Sequence, residues 1–246
     1  MTNKVQAAAA FAHQLLPDVI NPFTLCNELG IEVIWDKDMH KDGYLICEEG
    51  CKLIFVSSRI TNAHRRKFII SHEIGHFLMH REQMYCCTNI SEIETGRINS
   101  STQEREANSF ASEYLLPKSQ LTRELPKNDL TFTDISRIAD LFCISMTFCA
   151  IKAVQFSNSE NEILLCYEGQ MLKWFSSSDK SLSFDRIPQK CPIELVNCKA
   201  SIDTNGVWDS LFDGTVHQEI FRPVQNQSLV LLSGQRRFFE EVSYEY

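Results

Sequence analysis

The chain has no surplus of basic residues. Of its 246 residues, 24 are Lys or Arg and 32 are Asp or Glu, giving a formal net charge of −8. A domain built to coat nucleic acid carries the opposite sign, because Lys and Arg neutralise phosphates. Direct nucleic-acid binding is therefore disfavoured. No run approaches the ~18 consecutive apolar residues of a membrane span, so no membrane partner is expected. The first twenty residues hold only the short stretch Ala8 to Ala12, soon followed by His13 and Gln14. A basic n-region leading into an apolar h-region is missing, so no signal peptide is expected. Internal repeats and long charge runs are absent too.

The ten cysteines, at 26, 47, 51, 86, 87, 143, 149, 166, 191 and 198, include no C-x-x-C pair. Cys47 and Cys51 lie four apart, but no second Cys/His pair follows at zinc-finger distance. Reduced, mostly buried thiols in a cytoplasmic protein are the expectation. Apolar residues make up 43% and charged residues 23%, which excludes a disordered or collagen-like chain. The length predicts one or two domains.

Periodicity outlines the elements. Residues 3–16 read as an amphipathic helix, with Ala7, Phe11, Leu15 and Val5, Ala8, Ala12 as its apolar positions, and Pro17 stops it. Asn21-Pro22 opens a short helix that Gly30 closes. Residues 31–35 alternate like a strand, and 43–47 with 52–56 predict a hairpin. Residues 62–80 are the strongest helix. Residues 82–100 read as a loop, Ser100 or Ser101 as the cap of a helix over 102–116, and Pro117 as its end. Residues 131–155 predict a helix pair. The polar stretch 157–161 reads as a linker. Beyond it come a hairpin around Glu168-Gly169 and further β-like runs at 228–232 and 238–244.

Within the strongest helix lies His72-Glu73-Ile74-Gly75-His76, an H-E-x-x-H. Two His four apart project from one helix face and can share a metal ion. The Glu beside the first His can hydrogen-bond a metal-bound water. Zinc lowers the pKa of such a water to about 7, and the Glu takes its proton as it attacks a carbonyl. Apart from Glu73, residues 69–78 carry no Asp, Glu, Lys or Arg, as a water-excluding site helix requires.

A catalytic zinc needs a third protein ligand. His80 is one turn past His76. Three ligands on consecutive turns fit one tetrahedral ion poorly, because each four-residue step drifts by about 40°. His80 is thus expected to support a ligand or to pack. Position 82 is Glu, where a metzincin would need His. The helix over 102–116 offers Glu104, Glu106 and Glu113. Glu104 falls on the face of Ala107, Phe110, Ala111 and Tyr114, where a carboxylate is costly unless paired or metal-bound. Glu104 is the better placed third ligand, with Glu106 as the alternative. Asn108 stands one turn on, in reach of a ligand imidazole.

The segment from Arg65 through His80 resembles the signature of the ImmA/IrrE metallopeptidases. Glu104-Arg105-Glu106-Ala107-Asn108-Ser109-Phe110-Ala111, followed by Leu115-Leu116-Pro117, resembles that family's second signature. The resemblance covers residues 1–156. It implies a thermolysin-like zincin with Zn²⁺ held by His72, His76 and a downstream Glu, and with Glu73 as general base. Glu104-x-x-x-Asn108 is similar to the Glu-x-x-x-Asp of those enzymes, an amide standing for the second carboxylate. It also implies cytoplasmic cleavage of a partner protein, often a helix-turn-helix repressor.

The expected molecule is α+β. Residues 1–156 form a zincin-like peptidase domain with a small sheet beside the H-E-x-x-H helix, including the helix pair 131–155. Residues 157–246 form a β-rich module. The expected reaction is zinc-dependent hydrolysis of a specific intracellular protein. The rival reading is a non-catalytic zinc-containing module that binds a protein partner. Around 138–145 the helix pair superficially matches a helix-turn-helix, but Cys143 replaces the usual turn Gly and Lys152 is the second helix's only basic residue. A packed helical subdomain is expected instead. Cys86-Cys87 and Arg65-Arg66-Lys67 are read as incidental thiols and a solvated helix start. Strand 52–56 is expected to pair with an extended substrate.

Overall fold

The structure is a computed structural model. It describes residues 2–17, 19–48, 50–80, 85–88, 102–157, 159, 161–192, 201–203, 206–224 and 226–237. The expected caps at Ser100 and Ser101, the β-like run 238–244 and the side chains of Cys86 and Cys87 lie outside the described residues. The architecture is α+β, with seven α-helices and two sheets among the described residues. Contacts divide the chain into two compact units, residues 1–120 with 140–145, and residues 121–139 with 146–246.

In the first unit, α1 (Asn3–Leu15) begins where Thr2 Oγ1 accepts from the Val5 N–H. It buries Val5, Ala9 and Ala12, whereas Phe11 and Leu15 face outward. Helix α2 (Pro22–Leu29) is capped by Asn21, which accepts from the Phe23 N–H, and closed by Gly30 at φ 66°. That left-handed angle is a helix C-terminus that glycine supplies at no steric cost. Strands β1 (Glu32–Asp36), β2 (Gly43–Glu48), β3 (Cys51–Ser57) and β4 (Tyr85–Thr88) form a sheet in the order β1-β3-β2-β4. β1 runs parallel to β3, and the other neighbours are antiparallel. Strand β4 falls in the expected loop over 82–100.

The expected pairing of 52–56 with a substrate is corrected by this topology. Both edges of β3 are taken, by β1 and by β2.

Helix α3 (Ala63–Met79) starts at Asn62, whose side chain accepts from the Arg65 N–H. From Ile69 to Phe77 every residue is buried. The helix is covered by β2 and β3 on one side and by α1, α2 and α4 (Thr102–Leu115) elsewhere. Burial of Ile69, Ile70 and Ile74 contributes roughly 1.5–3 kcal/mol each. That gain helps offset the cost of burying His72, Glu73 and His76. The basic start of α3 is held locally. Arg65 pairs with Asp42 at 2.7 Å, and Arg66 donates to the Ile60 carbonyl while lying over the Trp35 ring.

The second unit contains α5 (Lys118–Glu124) from Leu121 on, most of α6 (Phe132–Phe142), and α7 (Met146–Phe156). Its sheet joins β5 (Glu162–Glu168), β6 (Met171–Ser177), β7 (Ser201–Asp203), β8 (Phe212–Val224) and β9 (Gln227–Arg236). The order is β6-β5-β9-β8-β7, antiparallel throughout. One core gathers Ile163, Leu165, Tyr167, Trp208, Phe212, Val230 and Leu232. Helix α7 packs against β5 and β6. This explains why all of β5 up to Tyr167 is buried and reads as a continuous apolar run.

Helices α6 and α7 meet at 113°. Cys143 takes φ 50° in the turn between them, a conformation that favours glycine. The angle is that of a helix-turn-helix. Lys152 of α7, however, is buried together with Cys149, Ala150, Ala153 and Val154.

Candidate metal centre

Helix α3 sets His72 and His76 one turn apart, and α4 lies against it. Their ε nitrogens approach to 3.0 Å. Glu104, in the first turn of α4, completes the group. Its Oε2 lies 3.2 Å from His72 Nε2 and its Oε1 lies 3.3 Å from His76 Nε2. Two atoms that each lie ~2.0–2.1 Å from one tetrahedral ion stand about 3.3 Å apart. The observed spacings fit that edge. Among the described residues, this is the cluster of His, Cys, Asp and Glu that could hold a metal ion.

The outward ring atoms support the same use. His72 Nδ1 lies 2.7 Å from Asn108 Oδ1 and donates to it. The lone pair of His72 is therefore on Nε2, toward Glu104. His76 Nδ1 lies 3.1 Å from His80 Nδ1, and His80 Nε2 lies 3.0 Å from Glu106 Oε2. Burial would raise the Glu104 carboxyl, but where His72 and His76 carry protons on Nε2 in place of a metal ion, their hydrogen bonds and charge outweigh it and hold it at about 2. A carboxylate is thus available to a cation across the whole useful pH range. Burial lowers His80, against the pull of Glu106, and the His80 hydrogen bond in turn lowers Glu106.

Glu73 is fully buried on α3 and points toward the start of β2. A Cβ at Gly43 would stand 3.3 Å from Glu73 Oε1 and 2.5 Å from Ile69 Cγ2. The strand can pass this close only because Gly43 has no side chain. Gly75 does the same between helices. A Cβ there would meet Phe110 Cδ1 at 3.0 Å and Ala107 Cα at 3.2 Å. Gly75 lets α4 approach α3, and that approach is what carries Glu104 to the two imidazoles.

Residues 26–153 match the family Peptidase_M78, described as the IrrE N-terminal-like domain. The chain belongs to the Peptidase_M78 family. The match runs over just more than half of the chain and includes both α3 and α4. No curated protein matches the chain. Among solved structures, a Mycobacterium tuberculosis transcriptional regulator has a similar fold. It is 15% identical, with a TM-score of 0.56 over 95% of this chain and 77% of that one. The likeness extends beyond the Peptidase_M78 segment into the second sheet.

Within this Peptidase_M78 chain, the structure brings His72, His76 and Glu104 together, with Asn108 on His72 and His80 on His76. It separates the two candidate glutamates. Glu104 faces the imidazole pair, while Glu106 faces His80. The roles of Gly43 and Gly75 were not legible in the sequence. Gly75 did carry a signal, since a glycine inside a helix costs about 1 kcal/mol relative to Ala and calls for a packing reason.

Proposed function

We propose that the chain is a zinc-dependent endopeptidase of zincin type that cleaves a specific intracellular protein. The observation that carries this reading is the convergence of His72 Nε2, His76 Nε2 and the Glu104 carboxylate, with Glu73, buried on the same helix as His72 and next to it in sequence, as the base. Two imidazoles and one carboxylate leave a fourth position open, the arrangement of catalytic rather than structural zinc sites. Zinc, when bound there, supplies Lewis-acid polarisation of a peptide carbonyl and makes water acidic at neutral pH.

The protein's own residues do the rest. His72 and His76 donate lone pairs, and Asn108 keeps the His72 ring in the tautomer that can do so. Glu73 accepts a proton from the attacking water as its oxygen bonds to the scissile carbonyl carbon. Glu73 then delivers that proton to the amine nitrogen as the C–N bond breaks. The apolar surroundings of α3 exclude bulk water from this transfer.

The substrate we propose is a protein, with a helix-turn-helix repressor as first candidate and the cytoplasm as its compartment. The charge of −8 favours a protein partner over nucleic acid. No single helix among the described residues is long and apolar enough to cross a membrane. A second reading is a non-catalytic zinc module in transcription control. It draws support from the fold shared with the Mycobacterium tuberculosis transcriptional regulator.

Glu73→Gln separates the two. An enzyme loses about 10²–10⁴-fold in turnover through loss of its general base. It keeps stoichiometric zinc, measured by atomic absorption. Cleavage of a helix-turn-helix repressor at a rate unchanged by Glu73→Gln would refute the catalytic reading.

A further inference from the structure

We propose that Glu106, acting through His80, is a positioning residue that fixes which nitrogen of His76 faces the metal. The proposal rests on the metal reading above and assigns Glu106 a task other than ligation. A carboxylate only accepts hydrogen bonds, so the 3.0 Å contact makes His80 Nε2 the protonated nitrogen. Neutral His80 then has its lone pair on Nδ1. That lone pair can only accept from His76 Nδ1–H, 3.1 Å away. The lone pair of His76 is thereby placed on Nε2, facing His72 Nε2 and Glu104.

With the other His80 tautomer the chain reverses. His80 Nδ1–H would donate to His76 Nδ1, and His76 Nε2 would carry a proton toward the site, where it cannot bind a cation. The Glu106 end is itself anchored. Thr2 Oγ1, which accepts the Val5 N–H as the cap of α1, donates to Glu106 Oε1 at 3.3 Å. His80 is at the C-terminal cap of α3, with its side chain 1% exposed, so its contact with His76 is shielded from water, while the Glu106 side chain at the other end is 15% exposed. Asn108 fixes His72 directly. His76, which lacks such a neighbour on α4, is reached by the two-step route from the same helix.

The test uses the full chain. Zinc dissociation constants come from competition with a chromophoric chelator for the wild type, His80→Phe, Glu106→Leu, Glu106→Gln and the double variant His80→Phe/Glu106→Leu. Each of His80→Phe and Glu106→Leu is expected to weaken zinc about 10–100-fold, the usual effect of losing such a partner. The double variant should be no weaker than His80→Phe, since both cut one chain. Glu106→Gln should recover most of the affinity, because its amide oxygen still accepts from His80.

Long-range ¹H–¹⁵N spectra of the zinc-loaded wild type should show His80 protonated at Nε2. This readout and Glu106→Leu stand even where His80→Phe does not fold. Unchanged zinc affinity in Glu106→Leu, or His80 protonated at Nδ1, would overturn the proposal. His76→Ala separates the two levels. If it abolishes zinc binding while Glu106→Leu leaves the affinity unchanged, only the positioning role fails. If it retains zinc, the metal reading itself fails.

Discussion

At the scale of single residues, the candidate centre is a set of directed lone pairs. Glu104 is the clearest case. Its place on the apolar face of α4 follows from helical spacing, so its approach to the imidazoles could be anticipated from the residues alone. Asn108 was legible for the same reason, since i and i+4 share a face. The link from Glu106 to His80 was not legible. Glu106 lies on the flank of α4, and only the packing of α4 against the end of α3 decides what it meets. Asn108 yields a prediction of its own. Its Oδ1 accepts from His72 Nδ1 at 2.7 Å. Asn108→Leu should weaken zinc about 10–100-fold, whereas Asn108→Asp, which keeps the acceptor and adds charge, should bind at least as tightly as the wild type. Competition titration measures both. An Asn108→Leu protein with wild-type affinity would remove Asn108 from the site.

At the scale of elements, most helices and both hairpins were legible because caps and periodicity agree. Asn21, Gly30 and Pro117 mark ends that the structure keeps, and the strongest helix starts in the structure at a cap, Asn62, that was not singled out in the sequence. What could not be read was register and partnership. Strand 52–56 has the alternation of an edge able to take a peptide, but a strand's hydrophobic pattern does not say how many neighbours it has. Strand β8 and the short helix α5 were missed because β8 does not alternate strictly and α5, though flanked by Pro117 and Pro126, is too short to show a helical period. The decisive element contact is α3 on α4, and Gly75 controls it. Gly75→Val would force the Val side chain into Phe110 and Ala107. Overpacking of this kind costs about 1–3 kcal/mol, and it should also move Glu104 away from His72 and His76. Urea denaturation should show the lower stability, and chelator competition a weaker zinc site. Gly75→Val with lost stability but unchanged zinc affinity would show that the helix approach does not position Glu104.

At the scale of the whole molecule, His72, His76 and Glu104 all belong to the first compact unit, and the second unit contributes none of them. A ligand that binds only the native form stabilises it by RT ln(1 + [L]/Kd), about 4 kcal/mol when free metal is a thousandfold above Kd. That linkage acts on the unit that holds the ligands. Removing zinc with a chelator should therefore lower the thermal transition of residues 1–120 by on the order of 10 °C, given a few degrees per kcal/mol for a unit of that size. Tryptophan reports on the two units separately. Trp35 lies in β1 of the first unit, and Trp208 is fully buried in the core of the second. In a variant keeping only Trp35, the fluorescence transition should shift down on chelation and recover with added zinc. In one keeping only Trp208, the shift should be smaller, to the degree that the second unit unfolds on its own. A Trp35 transition that ignores both chelator and zinc would mean that the native protein gains nothing from a metal at this centre, and the reading of α3 and α4 as a metal-binding pair would have to be withdrawn.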